Sequence, residues 1–163
     1  MTKRAVITGV GHYLPKRIVL NSEFEKTLNT SDDWIITRSG IRQRHFSNGD
    51  ETTSKMAVLA GKQAIEDANI AVSDLDAIIL ATSTADLTFP SAATMVQAGL
   101  GMRHGFAYDV QAVCAGFIYA LSTANAQIVS GQANRILVIG SETFSNLMDW
   151  SDRSTCVLFG DGA

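Results

Sequence analysis

Short runs rich in Val, Ile and Leu alternate along the chain with longer stretches in which small and apolar residues recur every three or four positions. The short runs fall at Ala5–Gly9, Ala77–Thr82, Phe106–Val110, Arg135–Gly140 and Thr155–Phe159. Each is bounded by Gly, Asp or Ser, which predicts buried strands. Ala57, Ala60, Ala64 and Ala68 mark one stripe of a helix, with Lys55, Lys62, Glu66 and Asp67 between them. Ser22 with Glu25, and Thr30 with Asp33, have the spacing of capping boxes that open two short helices. Strands alternating with helices predict an α/β protein. No linker, repeat or block of charge divides residues 1–163, so the pattern holds a single unit.

One stretch departs from this alternation. From Val110 to Asn134 there is no charged residue. Phe117, Leu121, Ala124 and Ile128 share one helical stripe, but Ala115, Ile118, Ala120, Ala126 and Val129 fill the other faces. A helix that is apolar most of the way round is expected to be buried on all sides. A modest α/β domain leaves one face of each helix exposed. The pattern therefore predicts that this helix meets either a second copy of the chain or a further part of the structure.

Composition narrows the function classes. The 163 residues are 46% hydrophobic and 18% charged, enough to build a packed core and unlike a disordered or low-complexity chain. Lys and Arg number 13 against 16 Asp and Glu, a net charge of −3, so no basic footprint for nucleic acid is present. Unbroken apolar runs such as Ala77–Ala81 are too short to span a bilayer, and residues 1–8 lack the apolar core of a signal peptide. Cys114 and Cys156 are too few for a disulfide framework or a Cys-rich zinc site. The expectation is a cytoplasmic protein that binds no metal, nucleic acid or membrane.

Cys114 is the candidate nucleophile. It sits in Asp109-Val110-Gln111-Ala112-Val113-Cys114-Ala115-Gly116-Phe117, where a strand turns into the uncharged helix. A thiol at a helix N-terminus meets the positive end of the dipole and free N–H groups, and both favour the nucleophilic thiolate. Ala112, Ala115 and Gly116 leave room for a substrate. The competing reading is an inert core cysteine, the usual fate of a lone Cys on an apolar helix. Cys156, inside an apolar run, is read as core.

The segment Val113-Cys114-Ala115-Gly116-Phe117 followed by an uncharged helix resembles the active-site region of β-ketoacyl-ACP synthase III, of the thiolase superfamily. The resemblance runs the length of the chain, through Gly9-Val10-Gly11-His12-Tyr13-Leu14-Pro15, Thr30 to Ile41, Phe89-Pro90-Ser91, Gly140-Ser141-Glu142, Asp152-Arg153 and Phe159 to Ala163. It implies the N-terminal half of a five-layer α/β/α/β/α fold. It also implies a reaction in which Cys114 takes a short acyl group from acyl-CoA and passes it to malonyl-acyl carrier protein by decarboxylative Claisen condensation, starting fatty-acid synthesis. By the same resemblance, Trp34 and Arg153 stack on the adenine of CoA from opposite sides, Thr30 and Arg38 add contacts to the nucleotide, and Phe89 bounds the acyl pocket across a homodimer interface. CoA enters as a substrate, and no permanently bound cofactor is implied. Without the family context, Trp34 reads as an amphipathic helix anchor, Arg153 as a solvated loop charge, and Phe89 as a staple before Pro90.

The family's decarboxylation uses a histidine and an asparagine from its second half. None of the three histidines here fits that role. His12 follows the first apolar run, His45 lies in an Arg/Gln-rich loop, and His104 precedes Gly105 in a turn. The missing C-terminal half is expected either as another chain or not at all. Two other readings compete: a condensing enzyme of secondary metabolism, and a non-catalytic CoA-binding half-domain. A nucleotide-binding oxidoreductase, suggested by Gly9-Val10-Gly11, fails because Leu14 stands where the third glycine of GxGxxG belongs.

Overall fold

The structure, a computed structural model, describes residues 3–163. Its first paired element is an antiparallel ribbon of β1 (Arg17–Leu20) and β2 (Gln43–Phe46), with Arg17 opposite Phe46. Two short helices, α1 (Asn21–Phe24) and α2 (Asp32–Ser39), fill the connection between those strands. Val19, Phe24, Ile35 and Phe46 close a small core beneath them, together with Cys156 and Val157.

The rest is a three-layer sandwich. Helix α3 (Thr53–Asp67) leads to β3 (Ala77–Ala81), α4 (Ala92–Leu100), β4 (Phe106–Val110), α5 (Gly116–Ser130) and β5 (Ile136–Gly140). The three strands form a parallel sheet in the order β4-β3-β5, with Ala77 opposite both Phe106 and Ile136. Period-2 alternation sorts the side chains by face. Ile78, Leu80, Leu137 and Ile139 point towards α3 and α4, where Ala57, Ile65, Ala93 and Val96 meet them. Ile79, Ala81, Ile136 and Val138 point the other way, onto Ala120 and Ala124 of α5. These strands match the expected runs to within a residue, and the α/β class is as expected.

Helix α5 is uncovered on one side in this chain, in line with the expectation that its cover comes from a second copy or a further part of the structure. Within this chain only Gly116, Ala120 and Ala124 are buried. Ile118 is 62% exposed and Tyr119 56%, so the face opposite the sheet is bare and apolar. Val113–Ser130 is also long and apolar enough to cross a membrane by length and composition. Counting only unbroken apolar runs overlooks this, because Ser122, Thr123, Asn125 and Gln127 interrupt the stretch without adding charge.

Two expected strands are not formed. Among the described residues, 5–9 pair with no strand, and Val6 and Ile7 are 76% and 75% exposed. The segment leads instead along the alanine stripe of α3. A Cβ on Gly9 would lie 2.4 Å from the Ala64 carbonyl oxygen, and one on Gly11 2.2 Å from that of Ala60. Only glycine lets the backbone approach so closely. The Val10 and His12 N–H groups donate to Asp67 Oδ2 and Gln63 Oε1, so helix side chains take donors that a ladder would use.

The run Thr155–Phe159 folds into turns rather than a strand. Asp149 Oδ1 accepts from the Ser151 N–H, and Asp152 Oδ1 from the Ser154 N–H, each at 2.9 Å. The Thr155 hydroxyl donates to Asp152 Oδ2 at 2.6 Å. These local bonds offer the backbone an alternative to a ladder. They also hold both carboxyls below their ordinary pKa, Asp149 chiefly through the Ser151 hydroxyl and Asp152 chiefly through that of Ser154. Cys156 is buried as core, and burial pushes its thiol pKa up.

The caps are shifted as well. Helix α2 is capped by Ser31, whose Oγ accepts from the Trp34 N–H at 3.1 Å, one residue later than the Thr30–Asp33 box. At α1 it is Glu23 that reaches back to the Leu20 N–H, and Glu25 accepts from the Asp32 N–H at 2.7 Å instead. His45, expected in a loop, lies on β2 with Nδ1 2.6 Å from the Pro15 carbonyl oxygen.

Candidate active site

The C-terminal edge of a parallel sheet is where α/β folds place their ligands. The loops after β3, β4 and β5 all emerge there. The loop after β4 carries Cys114 in a single 3-10 turn, Val113–Ala115, that runs into α5. The thiol is free and exposed. Val113 has φ +47°, a left-handed conformation that a β-branched residue rarely adopts, at a cost of about 1–3 kcal/mol. The turn is pinned from below. A Cβ on Gly116 would lie 3.3 Å from Ala81 Cβ, and one on Gly140 3.4 Å from the Phe117 ring, so the start of α5 sits on the ends of β3 and β5.

Two carboxylates brace this edge. Asp109, at the end of β4, accepts from the N–H groups of Ala92 and Ala93 at 2.9 and 2.7 Å. That ties the start of α4, just after Phe89-Pro90, to the strand that delivers Cys114. Phe89 is 83% exposed and packs as no staple within this chain. Glu142, following β5, accepts from the Ser83 N–H at 2.8 Å and from the hydroxyls of Thr82 and Thr84. Its backbone N–H and carbonyl both pair with Gly162, at 2.9 and 3.0 Å.

A second cluster gathers around Trp34, half-buried on α2. The guanidinium carbon of Arg38 lies 4.4 Å from the indole centroid, and that of Arg153 lies 4.9 Å away. Arg153 also donates to the Asn29 carbonyl oxygen, and Arg38 to that of Trp34. Among the described residues the only ion pair is Arg17–Glu23, so neither guanidinium meets a carboxylate. Two cations on one indole, without a counter-anion, make a place for an anionic group beside an aromatic plane.

The structure thus brings Trp34, Arg38 and Arg153 together; Cys114 and Phe89 are not members of that cluster. The purine sandwich expected of Trp34 and Arg153 is closed here. A purine between two planar groups needs them about 7 Å apart, two contacts of about 3.5 Å, and Arg153 lies directly on the indole. Thr30 Oγ1 is sealed from solvent and has no hydrogen-bond partner, so its hydroxyl does not face a ligand in this conformation. His12 and His104 are exposed.

Comparison with known proteins meets this geometry from outside. Residues 108–163 match the family 3-oxoacyl-[acyl-carrier-protein] synthase III. A curated relative from Ruegeria pomeroyi, β-ketoacyl-[acyl-carrier-protein] synthase III, is 69% identical over all 163 residues of this chain. Over its whole length the chain is similar to β-ketoacyl-ACP synthase III proteins. It spans about half the length of the curated relatives it matches, 50% of the Ruegeria protein. The crystal structure of 3-oxoacyl-[acyl-carrier-protein] synthase III from Aquifex aeolicus superposes with a TM-score of 0.93 at 51% identity, covering 96% of this chain and 50% of that one. The priming β-ketosynthase of the R1128 polyketide pathway also gives a TM-score of 0.93, at 35% identity over 99% of this chain and 49% of its own. The fold is therefore one half of the thiolase-like architecture of the β-ketoacyl-ACP synthase III enzymes.

Three residues that this half-fold relies on escaped the sequence reading. In the sequence Asp109 stands out only within the Cys114 segment and Glu142 only within the Gly140-Ser141-Glu142 motif, and their bonds to distant N–H groups reveal a bracing role. Arg44 is buried on β2 at 6% exposure. Period 2 could have found it, because Arg44 alternates with Phe46 on the inward side of Gln43-Arg44-His45-Phe46.

Proposed function

We propose that this chain supplies the nucleophile and the CoA-recognition surface of a condensing enzyme that starts fatty-acid synthesis. The Cys114 sulfur attacks the thioester carbonyl of a short acyl-CoA, and CoA leaves as its thiol. The acyl-cysteine then meets the carbanion that remains when the malonyl group of malonyl-acyl carrier protein loses CO2. The new C–C bond forms as the Cys114 sulfur leaves, giving a β-ketoacyl-carrier protein. The Cys114 backbone N–H is one donor for the tetrahedral oxyanion.

The observation that carries this reading is the strained turn at Val113–Cys114. Backbone strain beside an exposed thiol, held down by glycine-close contacts on β3 and β5, supports the reading of a side chain positioned for chemistry rather than for packing. The unpaired Arg38 and Arg153 beside Trp34 support recognition of a nucleotide phosphate and purine, with Arg153 swinging off the indole to admit the base. Thr30 adds a contact to the nucleotide once that movement exposes its hydroxyl. Phe89 reaches outward to bound the acyl pocket of a second copy in a homodimer. One side chain of this kind shifts primer choice by about 1–3 kcal/mol.

Residues 1–163 form the N-terminal half-domain of this enzyme. A C-terminal half, in the same polypeptide or as a separate chain, adds the decarboxylating His and Asn and covers the bare face of α5. CoA is a substrate, no permanent cofactor takes part, and the enzyme works in the cytoplasm. A secondary-metabolite relative is the second reading, because the R1128 priming synthase shares the fold equally well. The 69% identity to a β-ketoacyl-ACP synthase III favours the first. The test is a condensation assay on the full-length protein with acetyl-CoA and malonyl-acyl carrier protein. Acetoacetyl-carrier protein should form, and Cys114→Ser should abolish it. Formation of product by the serine variant at the wild-type rate would sink the assignment.

A further inference from the structure

Arg44 is a buried guanidinium with no carboxylate partner among the described residues. Its Nη1 donates to the Val19 carbonyl oxygen at 3.3 Å and to Asn21 Oδ1 at 2.7 Å, and its Nη2 donates to the Val157 carbonyl oxygen at 2.8 Å. Its guanidinium carbon lies 4.7 Å from the Phe24 ring centroid, and its Nε is buried without a partner. Burying an unpaired cation is costly, and a well-packed apolar residue of similar volume often serves stability as well or better. What an apolar residue cannot supply is a rigid fork of donors that joins separate backbone segments.

The segments joined are the two that carry the indole and the guanidinium of the nucleotide cluster. Asn21, held by Arg44, donates through Nδ2 to Asp32 Oδ1 at 2.7 Å and to the Ile41 carbonyl oxygen at 2.8 Å. Asp32 opens α2 and Ile41 lies just beyond its end, so one amide grips both ends of the helix that bears Trp34. Val157 lies in the same turn segment, residues 153–158, that bears Arg153. We infer that Arg44 is a positioning residue for CoA recognition, setting the spacing between the Trp34 helix and the Arg153 turn through Asn21 and Val157. This rests on the reading of Trp34 and Arg153 as the CoA nucleotide site.

The experiment is steady-state kinetics of the full-length protein, with acetyl-CoA varied at saturating malonyl-acyl carrier protein, well below the melting temperature of every variant. Arg44→Met should raise the acetyl-CoA KM at least tenfold and leave kcat within twofold, because Cys114 is untouched. Arg44→Lys, which keeps the charge but not the fork, should fall between Met and wild type. A purely structural role predicts the opposite order, with Met harmless and Lys damaging, and that result would overturn the inference. So would an unchanged KM in Arg44→Met. If Arg44→Met does not fold, Asn21→Ser decides, since it cuts only the link to α2: a KM rise of threefold or more supports the inference, and no rise overturns it. Trp34→Ala separates the two levels. If it leaves KM unchanged, the nucleotide site itself is misassigned and the inference falls with it. If it raises KM while the Arg44 and Asn21 variants do not, only the positioning role is wrong.

Discussion

The two faces of the β4-β3-β5 sheet are built from the same kinds of residue and end in different states. On one face Ile78 and Leu80 are fully buried under α3 and α4. On the other, α5 alone covers the sheet through Ala120 and Ala124, and its outer side chains Ile118 and Tyr119 stand in solvent. Small residues face the sheet and large apolar ones face away from it, the reverse of an ordinary surface helix. The first face is a finished core. The second is one side of a seam, and Cys114 opens onto it at the start of α5.

Substitutions that strike the finished face should have the largest effects. Gly9→Val places a side chain 2.4 Å from the Ala64 carbonyl oxygen, where backbone has to give way. Loss of about 3 kcal/mol or more is expected in denaturant melts, and a near-neutral result would mean that residues 9–11 do not pack on α3. Leu80→Ala should cost about 2–5 kcal/mol through transfer and cavity terms. A loss under 1 kcal/mol would deny that this face is closed.

The seam sharpens the contrast. Ile118→Ser should change the stability of the 163-residue chain by no more than about 0.5 kcal/mol, while in the full-length protein it should cost about 1–3 kcal/mol. Equal small losses in both would leave α5 uncovered in the complete molecule.

The smallest effect lies at the far end of the strands. Asp76 accepts from the Asn134 and Arg135 N–H groups at 2.6 and 3.0 Å, and those bonds hold its carboxyl below the ordinary value. A depressed folded-state pKa stabilises above the unfolded pKa, and the contribution is lost as pH falls through the folded one. The stability gap between wild type and Asp76→Asn should therefore be present at neutral pH. It should close as the medium is acidified below about pH 4, and a gap independent of pH would contradict the assignment.

The central strands were legible because β3, β4 and β5 are short apolar runs whose bounds depend on local pattern, although only β3 is buried throughout and β4 lies half-exposed at the sheet edge. Residues 5–9 carry the same apolar pattern, yet their partner is a helix, and nothing local distinguishes a ladder from Gly9 and Gly11 nested on Ala60 and Ala64. At Thr155–Phe159 the side-chain acceptors of Asp149 and Asp152 outweighed the apolar run. The motif residues Trp34, Arg38 and Arg153 came from resemblance; their stacking came from the structure. The uncovered side of α5 was foreshadowed by the uncharged stretch from Val110 to Asn134, since a helix apolar all round needs more cover than this chain supplies.

The claim on which the account turns is that Cys114 is a nucleophile poised at an open seam. The most direct measurement is the mass of the full-length protein, and of its Cys114 peptide, before and after incubation with acetyl-CoA in the absence of malonyl-acyl carrier protein. The account predicts a single acetyl adduct on the Cys114 peptide, absent from Cys114→Ser. An adduct on another residue, or none on a protein that completes the condensation, would contradict it.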